Sequence, residues 1–431
     1  MTTLKRIVKT FVAALLGLLA HAIVRRYRPR IVMVTGSVGK TSTKDAVAAA
    51  LSDRFFVGKS EKSYNSEIGV PLTIFGAKNP WGNPLGWLGV VKTALALALL
   101  PNHYPNLLVL EVGADRPGDL ARVLRTATPD VVVVTRLPEI PVHVEAYESP
   151  EAVREEEFSP AYALAPAAPL IVSADDPFAV AMAKRVPATL TTYGLAEGAT
   201  LRVRDIGFHE VGGIVRGMQA EVESGGEHAT VVVTGSVGRT QIYPAAAAIE
   251  AARAFGASLA EAVAALESYE PPAGRGRLLS GLHGSTIVDD SYNSSPAAVE
   301  ESLETLAAFP HAKRRVAVLG DMLELGRYSV EEHERIGGLV ALKADVLVAV
   351  GIRARAFARA AIAAGMPETS VYEFDSAIAA APVLATHVLP DDVILVKGSQ
   401  SVRTERIVET LLENGEDRAR LVRQERAWQR R

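Results

Sequence analysis

From Thr35 the chain reads TGSVGKTS, a glycine-rich turn ending on a lysine and hydroxyl residues. Set between a strand and a helix, such a turn can curl its backbone amides around phosphate oxygens. The helix N-terminus adds the positive end of its dipole. Here Gly36 would open the turn, and the amides of Ser37, Val38, Gly39 and Lys40 would form the cradle. Lys40 would neutralise terminal phosphates, and Thr41, followed by Ser42, would offer a hydroxyl to Mg2+. The spacing G-x-x-G-K-T is shorter than the general G-x-x-x-x-G-K-[ST] form. Without a strand before it and a helix after it, it would be only a glycine turn with an exposed lysine. Nearly the same letters return at Thr234 as TGSVGRT. There an arginine replaces the lysine and Pro244 soon follows, so the first loop is the phosphate loop and one nucleotide per chain is expected.

The elements around the first loop suit that role. RIVMVT precedes it as a buried strand, and the alanine-rich KTSTKDAVAAALSDRF follows as a helix. NLLVLEVGA, DVVVVTRL and PLIVSADDP are further strands. Their continuous Val/Ile/Leu runs indicate cover on both faces, hence a mostly parallel sheet. Between Leu201 and Val233 alternation and Gly-Gly pairs indicate antiparallel hairpins on the same domain. Two helices follow, and YEPPAGRGRL reads as a linker. A second α/β series then runs through STIVDDSY, RRVAVLGDM, DVLVAVG, SVYEF and DVILVKGS, predicting a small doubly wound domain. The expected layout is an N-terminal apolar and basic helix over 1–29, a central domain over 30–270, a C-terminal domain over 271–415 and a charged tail over 416–431, expected as an exposed helix.

The chain has 431 residues, too many for one typical domain, and 48% of them are hydrophobic, enough for large cores. A formal net charge of −3 gives no reason to expect nucleic acid as a partner. No cysteine is present, which excludes disulfides, thiolate metal sites and a cysteine nucleophile. Ile7 to Val24 is nearly all apolar, with Lys5, Arg6 and Lys9 before or early in it and Arg25, Arg26, Arg28 and Arg30 after it. Its length is marginal for spanning a bilayer. Three readings stand: a membrane anchor or in-plane interfacial helix, a helix docked on the protein itself, and a cleaved signal peptide. The first would tie a cytoplasmic body to the inner face of the membrane. Leu85 to Leu100 is a second apolar run, but it is short and carries Lys92, so a buried or interface helix is expected.

VTGSVGKTSTK, SYNSEIGVPLTIF from Ser63 and LLVLEVGADRPGDL from Leu107 resemble the ATP-dependent Mur ligases. So do IVDDSYNSSPAAVEESLETL, RRVAVLGDMLELG and VILVKGSQSVRTERIVETL, so that the resemblance runs in order from about Arg30 to Leu412. Within the family the set looks most like the members that add a D-alanyl-D-alanine dipeptide. The resemblance implies an α/β chain with a central P-loop ATPase domain and a C-terminal Rossmann-like domain. It implies peptidoglycan precursor chemistry with ATP and Mg2+: a carboxylate is phosphorylated, an amine attacks the acyl phosphate, and an amide forms. Such chemistry needs cations and positioning more than a covalent nucleophile. By the same resemblance Glu111 is a Mg2+ ligand and His143 lies near a second Mg2+. Arg275 reaches ATP when the domains close, and Asp290 and Asn293 contact the nucleotide.

Three departures stand out. The family's N-terminal substrate domain has no counterpart in the roughly 30 residues before the ATPase strand. The acceptor is therefore expected to be a different carboxylate, a lipid-linked one, or one presented by a partner protein. The family's carbamylated lysine falls, counting from His143, on Glu157, which would supply a carboxylate directly; Glu156 is the alternative. The second loop carries Thr240 and Gln241 where the family has His-Asn, so Gln241 would approach the phosphates with a longer side chain. The expected activity is an acid–amino-acid ligase. A same-family ligase with a folate-like or polymeric acceptor, and a membrane-associated nucleotide-binding protein without catalysis, are the alternatives.

Overall fold

The computed structural model describes residues 3–425 and Trp428, with side chains from Phe11 onward. The chain opens with α1 (Thr3–Tyr27), β1 (Arg30–Thr35), α2 (Lys40–Leu51), β2 (Val57–Lys59), α3 (Gly69–Ile74), α4 (Pro84–Leu99) and β3 (Leu107–Glu111). Next come α5 (Asp119–Thr126), β4 (Val131–Val134), α6 (Pro150–Tyr162), β5 (Pro169–Ser173), α7 (Pro177–Ala183) and β6 (Thr189–Gly194). β7 (Leu201–Val211), β8 (Ile214–Ser224) and β9 (Glu227–Thr234) precede the helices α8 (Arg239–Ala254) and α9 (Leu259–Ala265). These strands form one sheet of nine in the order β2-β3-β1-β4-β5-β6-β7-β8-β9. Pairings from β2 across to β7 are parallel, and β7, β8 and β9 pair antiparallel.

Alternate residues of the same strand feed different cores, as the pleat requires. Val32 and Val34 pack with α2 and α8 residues on one face, while Ile31 and Met33 join α1 and α3 residues on the other. The hairpins turn at Gly212-Gly213 (φ 61° and 77°) and Gly225-Gly226 (φ 59° and 83°), where side chains would be strained.

The second sheet uses β10 (Arg277–Ser280), β11 (Thr286–Asp290), β12 (Arg314–Gly320), β13 (Val346–Val350), β14 (Val371–Phe374) and β15 (Asp392–Lys397). Around it lie α10 (Pro296–Ala308), α11 (Ser329–Lys343), α12 (Arg355–Ala363), α13 (Ala377–Ala385) and α14 (Glu405–Leu411). The order is β10-β11-β15-β12-β13-β14, so the last strand in sequence sits between β11 and β12. That reversal brings the carboxyl ends of β11 and β15 side by side, with Asp290 opposite Lys397. Ligands of open α/β sheets bind at such a point.

The sequence reading passes over β2, β6 and β10. β2 has three residues and contains Gly58, β6 reads TLTTYG rather than an apolar run, and β10 begins inside the Pro/Gly-rich linker stretch. Each gains its strand character from a neighbour rather than from its own composition.

α1 is docked on the body. Leu16, Ala20 and Ile23 are buried in the core beneath it, and Arg26 donates to the Ala98 carbonyl at 2.7 Å. Among the described residues no helix is long and apolar enough to cross a membrane. The side chains of Lys5, Arg6 and Lys9 lie outside the described residues. α4 packs against α1, yet among its residues only Val90 and Ala94 are buried, which leaves its outer side exposed.

The tail departs from the exposed helix expected of it. A 3-10 turn over Gly415–Arg420 leads into Leu421, Val422 and Arg423, all buried. The Arg423 guanidinium bonds Glu405 (2.9 Å) and the carbonyls of Ser291 (3.1 Å) and Tyr292, so a charged tail segment is held by buried acceptors. Arg426, Arg430 and Arg431 lie outside the described residues.

Candidate functional site

The first glycine loop connects β1 to α2 as its letters require. Gly36 has φ 113°, and a Cβ there would run into the Thr135 hydroxyl; Gly39 has φ 89° and begins α2. Both positions exclude ordinary side chains on backbone grounds alone. The Lys40 ammonium folds back onto the Gly36 carbonyl and stands 3.8 Å from Glu157.

At the end of β3, Glu111 is buried, and its Oε1 accepts from Thr41 Oγ1 at 3.1 Å and from Ser63 Oγ. Its Oε2 is buried without a partner. An orphaned carboxylate oxygen next to a threonine hydroxyl, on the wall of a polar cavity, fits a hard divalent cation such as Mg2+. Among the described residues no group of three or more His, Asp or Glu side chains converges as a metal cage. Mg2+ commonly keeps water and uses substrate phosphates instead.

Lys44 anchors the loop that carries Ser63. Fully buried one turn after Lys40, it donates to the carbonyls of Ser60 (2.7 Å) and Lys62 (3.2 Å). Burial lowers its pKa, against the pull of Asp45 and Glu111. The sequence signal was available: a lysine on the inner side of an alanine-rich helix needs acceptors.

Glu156 and Glu157 separate cleanly. Glu156 accepts from the backbone of Gly118 (3.1 Å) and Leu120 (3.0 Å), capping the start of α5. Glu157 is buried and accepts from the Ser37 hydroxyl inside the phosphate loop. Burial raises its pKa, opposed by the Lys40 charge, the Ser37 bond and the His143 charge.

His143 holds a left-handed backbone (φ 66°), a conformation that non-glycine residues keep where surrounding structure enforces it. Its Nδ1 lies 2.9 Å from Glu324, on the C-terminal domain, and its Nε2 lies 3.6 Å from Asp115. Burial alone would lower its pKa, but the Glu324 hydrogen bond and the two carboxylate charges raise it overall. Glu324, itself at φ 65°, is held lower by the same contact.

The linker closes the other side. Arg275 donates to Thr41 Oγ1 at 3.1 Å, and its guanidinium lies 4.2 Å from the Tyr292 ring centroid. Gln241, at the start of α8, donates to the Arg275 carbonyl at 2.9 Å and leaves its own Oε1 unpartnered. Asp290 accepts from Lys397 and Ser302, both at 2.7 Å, and the Asn293 carbonyl accepts from Lys397 at 3.1 Å.

Lys40, Thr41, Glu111, His143, Arg275 and Asn293 thus share one cavity of about 720 Å3, lined also by Ser37 and Gly39. A smaller cavity of about 80 Å3 adjoins it and is lined by Val38, Ser42, Gln241 and Asp290. Glu157 stands behind the loop, in contact with Ser37 and Lys40. The sequence reading missed Ser63, Tyr292, Glu324 and Lys397 as individuals. All four lie in or directly beside the stretches that carry the family resemblance. The second loop leads into α8 and places Arg239 against Glu301 of α10 at 3.0 Å.

The arrangement can bind a polyphosphate and set a second substrate beside it under two domains. Known proteins resemble the chain along most of its length. The Mur ligase middle domain matches residues 34–83 and 88–252. The Mur ligase glutamate ligase domain matches residues 274–400. The UDP-N-acetylmuramoyl-tripeptide–D-alanyl-D-alanine ligase of Mycobacterium leprae is 28% identical over 410 residues, covering 89% of this chain and 74% of that protein. The protein of the same name from Synechocystis sp. is 30% identical over 390 residues, covering 90% and 76%. The crystal structure of MurF ligase from Thermotoga maritima in complex with ADP superposes with a TM-score of 0.76 at 28% identity, covering 94% of this chain and 84% of that one.

Proposed function

The chain belongs to the Mur ligase family of ATP-dependent ligases, and on that footing we propose that it joins D-alanyl-D-alanine to a UDP-N-acetylmuramoyl tripeptide in peptidoglycan precursor synthesis. The relatives' names supply the substrate pair. The observation that carries the reading is the cavity itself. Phosphate loop, orphaned Glu111 oxygen and linker arginine face one space between the two sheets.

In the proposed reaction an acceptor carboxylate oxygen bonds the γ-phosphorus of ATP, and ADP leaves. The dipeptide amine then bonds the acyl carbon, the carbon–oxygen bond to phosphate breaks, and phosphate and a proton depart. The loop amides and Lys40 hold the phosphates, Arg275 offsets charge that builds during transfer, and the closed domains exclude water. Mg2+ held by Thr41 and Glu111 would offset phosphate charge, with His143 and Glu157 as the proposed surroundings of a second ion. Asp290 and Asn293 are proposed to border the nucleotide, with Gln241 bracing the linker beside it. Use of ATP puts the body on the cytoplasmic side. A lipid-linked acceptor, or one presented by a second protein, is the finer alternative.

Mass spectrometry of products from ATP, Mg2+, the soluble UDP-sugar tripeptide and D-Ala-D-Ala tests this. The expected product carries both amino acids, and phosphate release requires acceptor and amine together. Product from a lipid-linked acceptor alone would reassign the acceptor. Nucleotide binding with no stimulated turnover on any acceptor would overturn the ligase reading.

A further inference from the structure

The outer sides of α1 and α4 form an apolar surface that the ligase site does not use. On α1, Phe11, Leu15 and Leu18 recur at helical spacing on the side opposite the buried Leu16, Ala20 and Ile23. On α4, Leu85, Leu88, Leu95 and Leu99 form a second stripe, with exposed Lys92 in its middle. Phe11, Leu18, Leu85, Leu88 and Leu99 are each at least 66% exposed, which is unusual for neighbouring large side chains. The helices pack together and their carboxyl ends meet, Arg26 on Ala98 and Tyr27 on the Leu100 carbonyl at 3.2 Å.

Charge identifies the occupant. The chain carries 49 acidic residues, yet none precedes Asp45 and none lies between Glu67 and Glu111. Exposed Arg25, Arg28 and Lys92 therefore border the stripes with no acid from either helix to offset them. A second copy of the same face would set cation against cation. Apolar side chains flanked by uncompensated cations match an anionic lipid surface, where the acyl boundary takes the leucines and headgroup phosphates take the arginines. We infer that α1 and α4 together seat the protein in the plane of an anionic bilayer surface. The seating is in-plane because the inner side of α1 is committed to the core and no described helix can cross. The surface also adjoins the cavity. Trp81, just before α4, lies 6.1 Å edge-on to Trp428, which lines the large cavity.

The test is co-sedimentation of the full chain with phosphatidylcholine vesicles, with and without phosphatidylglycerol, and needs no turnover. The wild type is expected to sediment with the phosphatidylglycerol vesicles and to be released by high salt. Leu18→Glu/Leu88→Glu is expected to lose at least about nine-tenths of that binding, since it places charge in the acyl boundary. Arg25→Glu/Arg28→Glu alters only exposed side chains and is expected to lose the preference for the anionic lipid. Thermal melting and ADP binding unchanged from wild type show that each variant is folded. The inference is overturned if the wild type ignores both vesicles, or if folded variants bind as the wild type does. It is also overturned if light scattering shows a dimer that Leu18→Glu splits, because a second copy then covers the face.

Discussion

The Arg275 guanidinium donates to the Thr41 hydroxyl at 3.1 Å across 234 residues of chain. The same hydroxyl donates to Glu111, so the linker touches the hydroxyl that would meet Mg2+. The geometry is set from behind: Tyr292 stacks on the guanidinium and Gln241 holds the Arg275 carbonyl. Lysine keeps the charge but loses the flat stack and the fork. Arg275→Lys is therefore expected to lower kcat by about 10–100-fold with a smaller change in KM for ATP. Steady-state phosphate release checks it. A raised KM at unchanged kcat would mean that Arg275 contributes ground-state binding only.

The two similar loops should behave differently when their cations are removed. Lys40 lies inside the cradle, whereas Arg239 ties α8 to Glu301 on the C-terminal domain, beside a second tie from Arg136 at 3.1 Å. Isothermal titration with ADP is expected to show one site in the wild type and none after Lys40→Ala. Arg239→Ala should keep one site, because a half-exposed ion pair contributes about 1 kcal/mol or less. Two sites in the wild type, or full binding by Lys40→Ala, would reverse the assignment of the loops.

Local letters made the strand, glycine turn and helix around Lys40 legible, because Gly36 and Gly39 are required by backbone angle. Buried parallel strands were legible for a similar reason, as valine runs have few other uses. Pairings made by distant parts of the chain were not. That Glu156 caps α5 while its neighbour meets the Ser37 hydroxyl depends on helix phase against two other elements. The contact of His143 with Glu324 joins residues of different domains, and neither sequence neighbourhood announces the other. The buried tail is a third case, since Arg423 looks like any surface arginine until Glu405 and two carbonyls surround it.

The split between the two glutamates gives a paired experiment. Glu157→Gln keeps an acceptor for Ser37 but removes the negative charge beside Lys40. If that carboxylate serves the metal, the Mg2+ concentration for half-maximal turnover should rise by about tenfold, a change of roughly 1.4 kcal/mol. Glu156→Gln should leave the Mg2+ dependence alone and lower stability by about 1 kcal/mol through the weakened cap. A Mg2+ titration and a denaturant melt on each variant separate the roles. An unchanged Mg2+ dependence in Glu157→Gln would remove that residue from the metal site.

Asp289, at the end of β11, offers a pH test of stability. It is fully buried, with Ser291 donating to Oδ1 at 3.1 Å from its backbone and again from its hydroxyl, while Oδ2 has no partner. Burial pushes its pKa from 3.8 up to about 6, against the Ser291 bonds. A raised acid binds its proton more tightly in the folded state. Its contribution is therefore full below about pH 3.8 and is lost as pH rises through about 6. At pH well above 6 the buried carboxylate costs up to about 3 kcal/mol relative to the protonated form. Asparagine mimics that form: its oxygen can take the Ser291 bonds, and no charge remains. Asp289→Asn is expected to melt above the wild type at neutral pH, by a margin that narrows on acidification and vanishes near pH 4. Thermal melts across that range check it, and equal melting temperatures at neutral pH would show that the carboxylate is already compensated.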